Sequence, residues 1–191
     1  MHVAAEGGHL EIVKFLVTKT PSLLESVGSL DLGTSVHSCS SLLLASYHGN
    51  LDVVNYLLEA AADIEAGTND DGHALHWAAS GGHLETVKFL VATAPSYLDK
   101  TTPNAATPLI CASHGGHLNV VSYLLLQAGA DIQATTDDDN NALHWAASGG
   151  HLESVKFLVA TTPSLLETAN ASGLTPLLCA SHFGHLNVVS Y

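Results

Sequence analysis

Two sets of side chains have the types and spacing to do chemistry. Cys111-x2-His114-x2-His117 recurs as Cys179-x2-His182-x2-His185, and thiolate sulfur and imidazole nitrogen are common ligands of zinc. Each set stops at three residues where a structural zinc takes four, and the flanking sequence supplies no evident fourth. A cysteine and a histidine three residues apart could also pair as nucleophile and base. That reaction needs a third group to orient the base and donors for an oxyanion, and neither is evident here. The run Asp137-Asp138-Asp139-Asn140-Asn141 offers oxygen ligands for calcium, but it lacks the order and the distal bidentate Glu of an EF-hand loop. The sequence holds no Walker-type loop, dinucleotide-binding glycine pattern, HExxH or GxSxG. No catalytic residue, no metal site and no cofactor is therefore expected in these 191 residues.

The elements that carry these residues come from an internal repeat. Gly-X-Leu recurs as Gly8-His9-Leu10, Gly49-Asn50-Leu51, Gly82-His83-Leu84, Gly116-His117-Leu118, Gly150-His151-Leu152 and Gly184-His185-Leu186, in steps of 41, 33, 34, 34 and 34 residues. An apolar pattern comes after each one; Leu84, Val87, Leu90 and Val91 fall on one helix face. A short Ala-rich segment such as 74–80 precedes each glycine. Thr107-Pro108 and Thr175-Pro176 open two of these segments, with Thr suited to the N-cap and Pro to the first helical position. The glycine can take the left-handed conformation that ends the first helix. The unit is helix, tight turn, antiparallel helix and extended polar connection. Within it, Cys111 and Cys179 share a core slot with Trp77 and Trp145. His117 and His185 fill the X position that is His in five of six copies, so only His114 and His182 are left over from the framework.

These residues resemble the ankyrin repeat. Its Thr-Pro-Leu-His-x-Ala motif reads TPLICA at 107–112, TPLLCA at 175–180, HALHWA at 73–78 and NALHWA at 141–146. The second helix reads GHLEIVKFLV at 8–17, and the unit ends in AADI at 61–64 and GADI at 129–132. The resemblance covers nearly the whole chain. It implies an all-α solenoid of stacked helix-turn-helix repeats with finger loops: 1–33 (incomplete), 34–66, 67–100, 101–134, 135–168 and 169–191 (incomplete). The copies alternate. Residues 74–93 and 142–161 differ only at Thr86 and Ser154; residues 107–123 and 175–191 differ only at Ile110/Leu178 and Gly115/Phe183. Odd copies end in TPSLLE at 20–25, APSYLD at 94–99 and TPSLLE at 162–167, where the residue before Pro is turned away from helix. Extra residues lie between Glu25 and Ser41, and one more lies in Leu124–Gln127 than in Leu57–Glu59. Neither end carries the polar cap usual for a terminal repeat, so an excerpt of a longer array, or an incomplete gene model, is expected.

The resemblance implies a non-enzymatic module that binds a macromolecular partner through finger tips and the concave face of the first helices. Carried over by position, that surface is Tyr47, His48, Ser80, His114, Ser148, His182 and Phe183, with Asp70, Asp71, Asp137, Asp138 and Asp139 on the fingers. Tyr47 and Phe183 are aromatics where the framework needs none; each is either a binding anchor or a ring folded onto the next repeat. The acidic fingers either attract a basic segment or are solvated turns. The alternatives to a binding module are a structural spacer and a substrate-recruiting region of a larger enzyme.

Charge narrows the partner. Five Lys and no Arg stand against 18 acidic residues, a net charge of −13, which excludes the basic surface that nucleic acid or anionic lipid requires. A protein partner with a basic segment is favoured. No apolar run reaches the length of a membrane span, and the start MHVAAEGGHLEIVK lacks the form of a signal peptide. Cys111 and Cys179, two repeats apart, would lie roughly 20 Å from each other if repeats stack at helix-packing distance, too far for a disulfide. A reducing, cytoplasmic setting and a monomeric array, or part of a longer chain, are expected. Protonating all 13 histidines would cancel the negative charge, so binding of a basic partner should weaken near pH ~5.5.

Overall fold

The computed structural model describes residues 1–31, 36–67 and 72–191. Six antiparallel helix pairs succeed one another: α1 (His2–Glu6) with α2 (Leu10–Lys19), α3 (Ser41–Tyr47) with α4 (Leu51–Glu59), α5 (Ala74–Ser80) with α6 (Leu84–Thr93), α7 (Pro108–His114) with α8 (Leu118–Tyr123), α9 (Ala142–Ser148) with α10 (Leu152–Thr161), and α11 (Pro176–His182) with α12 (Leu186–Val189). The first helices pack in sequence as one layer, and the second helices pack in sequence as the other.

Local chemistry fixes where each helix begins and ends. The Thr107 and Thr175 hydroxyls accept the backbone N–H groups of Ile110 and Leu178, and Pro108 and Pro176 stand at the first helical position. Asn141 caps α9 by accepting from Leu143 and His144. At the other end of α5, the His83 N–H bonds the Ala78 carbonyl (3.1 Å) and the Gly82 N–H bonds the Ala79 carbonyl (3.2 Å). This double closure requires a left-handed residue, and Gly82 supplies it at φ +77.

Between the layers lies one continuous core. Leu42, Leu57, Leu75, Leu90, Leu109, Leu124, Leu143 and Leu158 are all buried, each worth about 1.5–3 kcal/mol in apolar burial. The first-helix layer is rich in small buried side chains, Ala45, Ala78, Ala79, Ala112, Ala146 and Ala147.

Three departures from the plain unit have visible causes. In odd pairs the second helix stops where Pro comes next: Ala94 sits at φ −139, and the chain turns through a short 3₁₀ helix at Pro95–Tyr97, with equivalents at Pro21–Leu23 and Pro163–Glu167. The residues added after Glu25 include an antiparallel ribbon, β1 (Val27–Asp31) with β2 (Val36–Ser40), paired from Val27↔Ser40 to Asp31↔Val36; the architecture is otherwise helical. The single residue added in the fourth pair is absorbed by a π turn at Leu124–Ala128. There the Gly129 N–H reaches back to the Leu124 carbonyl before Gly129 enters the left-handed region at φ +80. A π turn takes up one extra residue in a helix and leaves the register of the next repeat unshifted.

Candidate partner-binding surface

The seams between repeats are built by one recurring contact. The side chain at X of Gly-X-Leu lies over the preceding repeat and bonds the backbone carbonyl at the end of its first helix. His117 Nε2 is 2.8 Å from the Ser80 oxygen, His151 Nε2 is 2.9 Å from that of His114, and His185 Nε2 is 2.7 Å from that of Ser148. The His83 ring is next to the Tyr47 carbonyl in the same place. Asn50 does the same work with an amide, its Nδ2 donating to Ala5 (2.8 Å) and Glu6 (2.7 Å). The two Cys–His–His sets therefore do not converge on a common point: one imidazole of each is committed to a seam, and among the described residues no three His, Cys, Asp or Glu side chains gather as a metal set. The thiols of Cys111 and Cys179 form no disulfide, and burial pushes the Cys179 thiol up.

A second histidine position sits inside the first-helix layer. His76 Nδ1 accepts the His73 backbone N–H (3.2 Å) and its Nε2 lies 2.8 Å from the Lys100 carbonyl. His144 repeats this with Asn141 (3.3 Å) and Leu174 (3.0 Å). An acceptor at Nδ1 and a carbonyl at Nε2 select the neutral Nε2–H tautomer. Desolvation lowers the His76 pKa to about 4, and it lowers those of His144, His83, His73 and His114 as well. Lys100 adds repulsion at His73, and His151 adds it at His114. The full cancellation of negative charge expected near pH ~5.5 is thus not reached, because these rings resist protonation.

The positions expected to face a partner differ in their surroundings. Ser80, His114 and Ser148 end α5, α7 and α9, where their carbonyls serve the seams. His114 is also stacked edge-on to Trp145, ring centroids 4.9 Å apart. Tyr47 is half-buried, edge-on to Trp77 at 5.5 Å and to His48 at 5.2 Å; of its two readings, the geometry is that of a ring folded onto the next repeat. Phe183 is 59% exposed and touches His182 at 4.9 Å. His48 lies 3.8 Å from Glu6.

On the fingers, Asp137, Asp138 and Asp139 are exposed, with none of the three in an ion pair among the described residues. Asp139 occupies the left-handed region at φ 58. Neighbouring fingers are tied through the backbone: the Asp137 N–H donates to Asn104 (3.2 Å) and the Ala171 N–H to Asp138 (3.0 Å). Asp70 and Asp71 lie outside the described residues. The countercharges are elsewhere. Lys14, Lys88 and Lys156 pair with Glu11, Glu85 and Glu153 at 2.7–2.8 Å on their own second helices, and Lys100 covers the Tyr97 ring at 4.3 Å.

A groove of about 260 Å³ opens between the first helices and the finger base of the middle repeats. Its walls include Trp77, Ile110, Cys111, His114, Trp145 and Asn104. Sequence reasoning placed only His114 and Ser80 of this groove on the binding surface, since Trp145 shares its slot with core residues. The Trp145 indole N–H is buried with no hydrogen-bond acceptor among the described residues. No helix of the described residues is long and apolar enough to cross a membrane.

Comparison with known proteins agrees with this geometry. Models of ankyrin repeats match residues 1–68, 42–136 and 143–191. The chain is 40% identical over 62 residues to the mouse Ankyrin repeat and SAM domain-containing protein 6, covering 32% of this chain and 6% of that protein. It is 30% identical over 91 residues to the mouse Ankyrin and armadillo repeat-containing protein, covering 48% of this chain and 6% of that one. The matched stretch is thus a small part of either relative's length. Arrays of this kind are in general non-catalytic modules for protein–protein interaction. With the motif, the helix pairs, the seam contacts and the matched models in agreement, the chain belongs to the ankyrin-repeat family.

Proposed function

We propose that this chain is a non-enzymatic module that binds a protein segment carrying basic side chains, laid along the first-helix face and held at its edge by the acidic finger tips. One observation supports this reading most: the exposed, unpaired Asp137–Asp139 finger is tied by its backbone to Asn104, which lines the groove. Apolar walls and a carboxylate rim side by side suit a ligand with an apolar anchor next to Lys or Arg. Tyr47, edge-on to Trp77, supports Trp77 in the wall of the groove. His48, Ser80, His114, Ser148, His182 and Phe183 belong to the same contact set.

The test is binding of short peptides of matched length, with and without Lys or Arg beside an aromatic residue, measured by fluorescence anisotropy at two ionic strengths. Changing Asp137, Asp138 and Asp139 together to Asn removes charge while keeping a residue that tolerates the left-handed position. Basic peptides should bind more tightly at low salt and lose about tenfold in affinity or more in the triple variant. Equal binding of neutral and basic peptides, or no effect of the triple change, rejects the acidic rim.

A further inference from the structure

The groove of the middle repeats has its cause in the way the copies alternate. Leu44, Trp77, Cys111 and Trp145 fill one slot of successive first helices. Cys111 is the narrow member of this row, and a tryptophan stands in the same slot on either side of it. All three line the groove of about 260 Å³. The gap over Cys111 corresponds to the space that an indole fills in the repeats before and after. Pockets for drug-sized ligands run from about 300 to 1,000 Å³, so this one suits a single side chain.

Its walls are held before anything binds. Tyr47, which ends α3, stands edge-on to Trp77 at 5.5 Å, and His114, which ends α7, stands edge-on to Trp145 at 4.9 Å. Trp77 is 4% exposed. His76, also in the wall, has both ring nitrogens committed, to the His73 N–H and the Lys100 carbonyl. A ligand therefore meets rings already positioned by their neighbours, which lowers the ordering cost of binding.

The chemistry of these walls selects the occupant. Among the described residues no Lys, Asp or Glu lines the groove. Four of its residues, His76, Trp77, His114 and Trp145, carry aromatic rings, and a ring gains from edge-on or offset contact with other rings beyond the area it buries. A cation is also drawn to ring faces, but this site opposes one. Desolvation chiefly, and then the charge of Lys100, hold down protonation of His73 and His76. A cation placed among the same rings would meet the same two costs. The cations of a basic segment have their place outside, at Asp137–Asp139, where the Asp137 N–H bonds the carbonyl of Asn104 at the groove.

Resting on the function proposed above, we propose that the gap over Cys111 takes one uncharged aromatic side chain of the basic partner segment, clasped between Trp77 and Trp145. Cys111 is then the residue that sets specificity, because a larger side chain there closes the gap without touching the acidic rim.

Trp77 and Trp145 are the two tryptophans of the chain, so its intrinsic fluorescence reports on this gap. The probes are tryptophan-free peptides with one Phe between Lys residues, and the same peptides with Leu, Ala or Lys in place of Phe. Cys111→Leu fills the gap with a residue that the slot already holds at Leu44, and circular dichroism with a urea melt checks its fold. On the unmodified chain the Phe peptide should shift the tryptophan emission and bind about tenfold tighter than the Ala and Lys peptides. Cys111→Leu should abolish that preference. The joint change of Asp137, Asp138 and Asp139 to Asn should keep the preference while weakening every peptide. Equal binding of the Phe and Ala peptides, tightest binding of the Lys peptide, or a Phe preference that survives Cys111→Leu would each overturn the aromatic gap. In those cases the acidic rim still stands if the triple change weakens binding, and falls with the gap if it does not. The peptide series on the unmodified chain decides the matter without the Cys111 variant.

Discussion

The imidazole of His117 does two jobs across the seam to the previous repeat. Its Nε2 lies 2.8 Å from the Ser80 carbonyl, and its ring fills the space where a Cβ on Gly82 would stand, 2.3 Å from Nδ1. The two contacts lock each other: the glycine lets the ring approach, and the ring satisfies a carbonyl that the helix end leaves unpaired. His117→Ala should cost about 1–2 kcal/mol of stability, the effect of stranding a partly buried acceptor. His117→Asn should recover part of this, because Asn50 makes the same contact at the first seam. Urea unfolding of the two variants checks both statements.

Gly82→Ala should cost more, about 2–4 kcal/mol, since it adds a left-handed strain to a direct collision with the ring. Made in the His117→Ala background, the same change should cost less by about 1 kcal/mol or more, the signature of residues in contact. Simple additivity in this double-mutant cycle would show that the ring and the glycine do not constrain each other.

Stability should fall with acid before the carboxylates titrate. His76 has an ordinary value of 6.5 and a folded value of about 4, with desolvation as the main cause. A lowered folded pKa means that the unfolded chain binds the proton more readily. The contribution is therefore complete above about pH 6.5 and is lost as pH falls through the folded value near 4. Its size is about 3 kcal/mol for His76, and His144 acts in the same direction. Chemical denaturation between these limits should show a slope that flattens in His76→Leu, an apolar residue of the kind found in that slot at Leu43 and Leu178.

Two alanines hold left-handed positions, Ala61 at φ 67 and Ala105 at φ 61. Gly129 occupies the position equivalent to Ala61 two repeats later, and Gly173 the one equivalent to Ala105. Ala61→Gly and Ala105→Gly should each stabilise the array by about 0.5–1 kcal/mol, the relief of strain less the entropy that glycine adds to the unfolded chain. Thermal melts read the gain as a rise in Tm; a fall would refute the assignment of strain.

Deleting Leu126, which is 64% exposed, should convert the π turn at Leu124–Ala128 to the ordinary turn of the second repeat. The array should remain folded with a change of about 1 kcal/mol or less, as read by urea unfolding. Collapse of the fold would show that the extra residue is needed for packing.

Periodicity alone made the framework legible. The six Gly-X-Leu sites, the Thr-Pro caps and the Pro-terminated second helices arise from local backbone chemistry, which one sequence displays fully. Contacts between repeats were less legible. That His117 bonds Ser80, or that Tyr47 rests on Trp77 while Phe183 stays exposed, depends on which repeat lies next and how closely, and no local pattern states it. The one-residue excess at Leu124–Gln127 was visible as a length difference only; its solution as a π turn required the hydrogen bond from Gly129 to Leu124. On the candidate surface, finger acidity could be read from Asp137–Asp139, but the groove could not, because Trp145 belongs by slot to the core and by position to its wall.

The bonds made by the side chain at X of Gly-X-Leu all run one way. Asn50, His117, His151 and His185 bond carbonyls 37 to 45 residues earlier in the chain. The ribosome makes each acceptor and its glycine before it makes the side chain that will cover them. Each new X side chain therefore meets an acceptor already made, whereas His76 and His144 wait for the later carbonyls of Lys100 and Leu174. Truncation from the C-terminus by a whole repeat leaves the remaining X contacts made. Truncation from the N-terminus instead removes the carbonyl on which a remaining X side chain was laid.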